Sequence, residues 1–209
     1  LQIDAQNING YLADAPSLYL YRRSRPLSST MPLMIYGSKP SDGGHLILDA
    51  TERAGLLEAS PSSMKFVKRY IGSAEYINGI SRWCLLIPDD SFKEAQEVPE
   101  LARRLEMVTR HREKSTEKST RNAAKFPNRF YFSGYKPTDS IIVPSISSGR
   151  REYIPMGYLG PDTVISNKGF AVYDAEPWVF AVLTSRMHMA WTGAVSGRMR
   201  EDYQYSNTI

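Results

Sequence analysis

Apolar and polar positions change their period several times along the chain, which predicts a mixture of short elements. Leu18-Tyr19-Leu20-Tyr21 and Leu33-Met34-Ile35-Tyr36 are strand-like runs, punctuated by Pro16, Pro26, Pro32 and Pro40. Asp42-Gly43-Gly44 is a turn signal leading into another strand candidate, His45-Leu46-Ile47-Leu48. Helical patterns follow. Asp49 or Thr51 suits the N-cap of a helix through Leu57, and Ser60-Pro61 sets a cap and a first-turn proline before a helical stretch at 64–71. Arg82-Trp83-Cys84-Leu85-Leu86-Ile87 reads as a short buried strand stopped by Pro88.

One long helix is predicted over 99–125. Leu101, Leu105 and Val108 give it an apolar stripe in its first half only, and from Thr109 to Asn122 it is polar on every side. After it the chain turns β-like at 129–132, 140–144 and 153–158. Residues 178–195 form a strongly apolar helical pattern with a C-terminal cap at Gly197, and 198–209 alternate as a strand does. The pattern as a whole predicts an α+β fold, with short antiparallel or mixed β-sheets and several helices, one of them long and basic. It fits one domain over 1–209, with sub-parts 1–98 and 130–209 joined by the helix near 99–125.

Composition narrows the class. Hydrophobic residues at 42% and charged residues at 23% are ordinary for a soluble globular protein. No apolar run approaches the length of a membrane-spanning helix, so no membrane is expected as a partner. Leu1-Gln2-Ile3-Asp4 carries neither signal-peptide features nor an initiator Met, and we expect a piece of something longer. Cys84 is the single cysteine, which excludes a disulfide scaffold and a cysteine-based zinc site and fits a reducing cytoplasm.

The formal charge of +4 is concentrated in one place. From Glu100 to Arg129 nine Lys and Arg residues face four Glu residues, leaving +5 there and a nearly neutral remainder. Arg103, Arg110, Lys114, Lys118, Arg121 and Lys125 would form one basic stripe on a continuous helix, suited to DNA phosphates. Glu100 with Arg104, Glu106 with Arg110 and Glu117 with Arg121 would instead be pairs that merely solubilise the helix. Both readings stay open on the sequence.

Catalytic signatures are missing. There is no Walker loop, no G-x-G-x-x-G, no G-x-S-x-G and no Asn-Pro-Pro-aromatic loop of the kind that holds a flipped adenine. His45, His111 and His188 are scattered without metal-ligand spacing, and Pro88-Asp89-Asp90 reads as a capped turn. This stretch is expected to carry no catalytic residue, no metal site and no cofactor of its own.

Several stretches together carry a resemblance. They are Ile8-Asn9-Gly10-Tyr11-Leu12 with Asp14-Ala15-Pro16, Tyr36-Gly37-Ser38-Lys39-Pro40 with Asp42-Gly43-Gly44, and Tyr76-Ile77-Asn78-Gly79 with Arg82-Trp83-Cys84-Leu85. Ser147-Ser148-Gly149-Arg150-Arg151 with Tyr153-Ile154-Pro155, Ser185-Arg186-Met187-His188-Met189-Ala190-Trp191, and Gly197-Arg198 with Asp202-Tyr203-Gln204-Tyr205-Ser206 complete the series. In order and spacing it resembles the target recognition domain of MmeI-type enzymes, class I adenine-N6 DNA methyltransferases of type IIL restriction–modification systems. The resemblance implies double-stranded DNA as partner, a bacterial cytoplasm, and an S-adenosylmethionine-binding methyltransferase domain earlier in the same chain. It also implies that the natural domain continues slightly past Ile209.

Given that resemblance, Arg150 and Arg151, carried by the small Ser147-Ser148-Gly149 run, are candidate DNA contacts; local pairing of Arg151 with Glu152 or Asp162 is the alternative. Asn167-Lys168 is a second candidate loop. On an extended C-terminal strand Arg198, Arg200, Asp202 and Gln204 would share one face, with Arg suited to guanine, Asp to cytosine N4 and Gln to adenine. A solvent-facing ladder is the alternative there. Lys114, Lys118 and Arg121 would touch phosphates. The function expected is sequence-specific reading of duplex DNA that presents an adenine to the methyltransferase domain. The competing expectation is a regulatory module whose basic helix docks on an acidic partner protein.

Overall fold

The computed structural model describes residues 4–10, 12–19 and 30–209. In chain order the first half holds β1 (Met34–Tyr36), β2 (Ile47–Leu48), α1 (Ala50–Ala59), β3 (Val67–Ile71), α2 (Ser73–Asn78), β4 (Trp83–Leu85), α3 (Phe92–Glu97), α4 (Pro99–Glu113) and α5 (Lys118–Ala123). The second half holds β5 (Ser140–Pro144), β6 (Ile146–Ser147), β7 (Gly157–Leu159), β8 (Thr163–Ile165), β9 (Gly169–Tyr173), α6 (Pro177–Leu183), α7 (Arg186–Val195), β10 (Gly197–Met199) and β11 (Asp202–Gln204). Short 3-10 helices occupy Pro61–Phe66 and Asp89–Ser91. Leu20, Tyr21 and Pro26 of the predicted N-terminal strand region lie outside the described residues.

The class is α+β. One antiparallel sheet has the order β1-β9-β5-β7, a mixed sheet runs β2-β4-β3-β8 with β3 and β8 parallel, and a small antiparallel sheet runs β10-β11-β6. Every residue of the inner strands β5 and β9 is buried, which is why their sequences are almost continuously apolar rather than alternating. Pro144 stands at the end of β5, where a missing N–H costs the ladder least. The mixed sheet packs with α1, α3 and α4 around Leu46, Leu85, Leu101, Leu105 and Val108, and Ile71, Ile142 and Ile165 join the two larger sheets.

Local signals set several ends. Asp49 accepts from Glu52 N at 2.8 Å while the Glu52 carboxylate accepts from Asp49 N at 3.0 Å, a reciprocal cap on α1. Several expectations need correcting. Residues 64–71 are not one helix: the turn begun by Pro61 ends at Phe66, and Val67–Ile71 becomes β3 because β4 and β8 flank it. Of 129–132, only a single bridge from Phe132 to Lys39 pairs in β fashion. The apolar stretch 178–195 breaks between α6 and α7, where Thr184 Oγ1 and Ser185 Oγ donate to the Phe180 and Val182 carbonyls; Ser185 Oγ then accepts from His188 N to cap α7. Gly197 is the first residue of β10, and the C-cap of α7 is Ser196.

The long basic helix also divides. α4 ends at Glu113, and Ser115 Oγ accepts from Glu117 N at 3.2 Å, a side-chain bond that competes with helical continuation. Nor does this segment join separate sub-parts. β1 pairs with β9 and β3 with β8, so residues before 99 and after 130 share both larger sheets.

Candidate nucleic-acid interface

The smallest sheet assembles the candidate site. β6 meets β11 at Ser147↔Tyr203 and Ile146↔Gln204, and β11 folds back on β10 at Met199↔Asp202, leaving Arg200 and Glu201 as a two-residue turn. The sequence-predicted loop and the C-terminal segment are thereby neighbours. Gly149 N donates to Asp202 Oδ1 at 3.3 Å, and a Cβ on Gly149 would lie 2.1 Å from the Glu201 carbonyl oxygen. Only glycine allows that approach. Arg151 N donates to Ser148 O at 3.1 Å, closing a tight turn with the exposed Arg150 at its bend.

The hairpin overturns the expected single face. Arg198 and Tyr203 are opposite each other on one side, whereas Met199 with Asp202 and Gly197 with Gln204 lie on the other. Arg200 belongs to neither strand: it occupies the turn with a left-handed φ of 58°. The Arg198 guanidinium lies 3.9 Å from the Tyr203 ring centroid, so part of its cationic surface is engaged by the protein. An open depression of about 380 Å³ lies between loop and hairpin, lined by Ser148, Arg150, Arg200, Glu201 and Asp202. Ser147 is buried at 2% exposure in β6, opposite Tyr203.

The second loop adjoins this sheet through Ser145. Ser145 Oγ donates to Lys168 O at 2.8 Å, Ser73 Oγ donates to the same carbonyl, and Tyr205 N donates to Ser145 O at 2.9 Å. Asn167 is anchored by its N–H to Ser38 O at 3.0 Å and is half-buried, while Lys168 is exposed. Beneath the hairpin, Tyr205 is buried and shares a 2.7 Å hydrogen bond with His188 Nε2, and burial holds the His188 imidazole below its ordinary pKa. Sequence reasoning missed Ser145 and Glu201, both ordinary in type. Their importance lies in carbonyl and hydroxyl positions that only the fold reveals.

The family described as MmeI, target recognition domain, matches residues 14–209. This chain belongs to that family. It is 40% identical over 200 residues to DNA methyltransferase A of Bacillus subtilis (strain 168), covering 96% of this chain and 23% of that protein. A solved structure of the type IIL restriction–modification enzyme MmeI in complex with DNA matches at a TM-score of 0.87 and 35% identity, covering 100% of this chain and 28% of that one. The target recognition domain described here therefore spans about a quarter of the length of these relatives.

In this target recognition domain the basic segment behaves differently from a stripe. Its arginines are engaged internally. Arg103 pairs with Glu100 at 2.8 Å, Arg104 with Glu52 at 2.7 Å and Glu100 at 2.9 Å, Arg110 with Glu106 at 2.5 Å, and Arg129 with Asp89. Arg121 donates to the Ser115 and Thr116 carbonyls at 2.7 Å each, holding the turn between α4 and α5, while Glu117 accepts from Thr120; the expected Glu117–Arg121 pair does not form. Arg112, 0% exposed, donates to the carbonyls of Ser41, Pro40, Ala123, Phe126 and Arg129 at 2.8–3.1 Å. Lys114, Lys118 and Lys125 are exposed and, among the described residues, make no such bond. The docking-helix alternative loses its basis here, since its continuous cationic face does not exist. Arg151 pairs with neither Glu152 nor Asp162, and Asp162 is taken by Lys68.

Proposed function

We propose that this domain reads duplex DNA sequence for a longer adenine-N6 methyltransferase, one that uses S-adenosylmethionine in the cytoplasm of a bacterium. The observation that carries this reading is the convergence of Arg150, Arg200 and Asp202 on one open depression, in a chain whose family match runs over 14–209. Cationic forks and an acceptor carboxylate together offer both halves of the hydrogen-bond code on base edges. Arg151, Lys168, Lys114 and Lys118 supply charge for phosphates, which position a protein without reading sequence. The relatives' descriptions as a DNA methyltransferase and as a restriction–modification enzyme bound to DNA support the same partner. The cofactor and the chemistry are assigned to a methyltransferase domain outside residues 1–209, in keeping with the greater length of the relatives this chain matches.

Selection from a pool of randomised duplexes tests this. The 209-residue chain and its parent polypeptide should each enrich one short motif, and the same motif. A pool that stays even after repeated rounds overturns sequence reading.

A further inference from the structure

The N-terminal segment differs from the rest of the molecule in what it leaves uncovered. None of the described residues between 4 and 19 is buried. Ile8 is 65% exposed, Leu12 88%, Leu18 69% and Tyr19 69%. Single exposed apolar residues are normal, but here four fall within one short stretch that has no buried residue among the described ones.

The segment nevertheless has a defined shape. Ile8 and Asp14 form an antiparallel bridge; Asn7 N donates to Asp14 Oδ1 at 2.9 Å, Asn7 Nδ2 to Ala15 O at 2.5 Å, and Ala13 N to Asn9 Oδ1 at 3.2 Å. Polar side chains thus tie 7–9 to 13–15, with Ile8 and Leu12 left exposed. Leu12 holds a left-handed φ of 58°, an unfavourable conformation for a bulky side chain. A hairpin with this strain and no apolar burial of its own gains its stabilisation elsewhere.

Two boundaries indicate where. The target recognition family match begins at residue 14, which is where the hairpin closes on Asp14. The match to the solved MmeI chain, by contrast, covers all of this chain while taking up only 28% of that one. Ile8 and Leu12 precede the family match and Leu18 and Tyr19 fall at its start, so all four sit at the N-terminal edge of the recognition module, while the solved chain it matches extends far beyond it. We infer that Ile8, Leu12, Leu18 and Tyr19 form a docking strap that seats on an apolar surface of the methyltransferase domain in the parent polypeptide, fixing the recognition module relative to it. This rests on the parent being the longer methyltransferase proposed above.

Thiol labelling at Leu12→Cys tests the strap, because the chain's own Cys84 is buried and slow to react. The introduced thiol should label rapidly in the 209-residue chain and at least about tenfold more slowly in the parent polypeptide. Equal rates in the two overturn the inference. Protection that appears in the 209-residue chain and rises with its concentration also overturns it, by assigning the strap to a second copy. A second measurement avoids reliance on one variant: Leu12→Asp with Tyr19→Asp in the parent should lower methyl transfer while the duplex motif selected stays the same. Unchanged transfer counts against the strap. A motif lost in the variant also counts against the strap, because these residues would then act inside the recognition module, whereas the DNA-reading proposal fails in the unmodified protein, as a pool that stays even, so the two failures are distinguishable.

Discussion

Gly149 and Glu201 touch through their backbones: any Cβ on Gly149 would stand 2.1 Å from the Glu201 carbonyl oxygen. Loop and hairpin are thereby held in one register, with the Gly149 N–H on Asp202 as the accompanying bond. Gly149→Ala must separate them, because an added Cβ cannot share that space with the carbonyl oxygen. Because both segments are exposed, the strain should be relieved locally. The expected outcome is weaker and less selective duplex binding with a nearly unchanged melting temperature, checked by motif selection alongside thermal unfolding. Unchanged selectivity would show that loop and hairpin act independently.

Arg112 should matter for stability and for nothing at the DNA surface. Its donors satisfy five carbonyls from three separate stretches, Pro40–Ser41, Ala123–Phe126 and Arg129. Arg112→Ala leaves those acceptors buried without partners, and a loss of about 3–5 kcal/mol is expected. Arg112→Lys keeps the charge but offers three donors in a different geometry, so it should rescue only part of the loss. Urea denaturation of the three proteins checks the order. Equal midpoints would contradict it.

Some of this was legible in the sequence and some was not, for physical reasons. The Asp49 cap, the apolar run of β5 and the turn at Asp42-Gly43-Gly44 are local signals, and they formed as read. Loop 147–151 and the C-terminal segment stood out as separate candidates, but their meeting depends on pairing between β6 and β11, which no local pattern encodes. Charge misled most. Arg112 continues the buried face of Leu101, Leu105 and Val108 at helical spacing, so an arginine there was as much a core position as its apolar neighbours. Arg200 offered no sign of a turn, because Gly or Asn is the usual residue at such a φ.

The division between arginines and lysines around α5 gives a paired prediction. Lys114→Ala with Lys118→Ala removes two exposed, unbonded cations and should leave stability unchanged. If both touch phosphates, the slope of log affinity against log salt should fall by about 2. Arg121→Ala should instead lower stability by about 1 kcal/mol, because it uncaps the Ser115 and Thr116 carbonyls. Salt titrations of duplex binding, run beside urea curves, separate the two effects. A flat response to the double lysine change would make that surface simply solvated.

His188 sets an acid limit on the platform under the hairpin. Burial holds its imidazole below the ordinary value, while the unfolded chain takes up the proton near pH 6.5. Between the folded and unfolded pKa values the unfolded state binds more protons, so stability rises with pH through that window and falls as the solution is acidified. His188→Gln keeps a polar partner for Tyr205 and removes the titration. The difference in urea midpoint between about pH 5.5 and about pH 7.5 should shrink in the variant. An undiminished difference would assign the acid sensitivity to other groups.

Arg200 presents a conflict between local conformation and side-chain identity, and that conflict can be measured. A non-glycine residue at φ 58° costs about 1 kcal/mol relative to glycine, and the hairpin turn accepts the cost at a position lining the candidate DNA depression. Arg200→Gly should therefore raise stability by about that amount. If the guanidinium reads a base edge, the same change should reduce discrimination at one base-pair position by about 1–3 kcal/mol and leave the rest of the motif intact. Arg200→Ala supplies the control: it keeps the strained φ, so it should lose the same discrimination without gaining stability. Asp202 enters differently, because its carboxylate already accepts from Gly149 N; Asp202→Ala should loosen the loop and blur several positions rather than one. Motif selection with the three variants, each with its unfolding curve, decides among these outcomes. A stabilised Arg200→Gly protein that still selects the wild-type motif at full strength would leave Arg200 as a turn residue with no part in reading DNA.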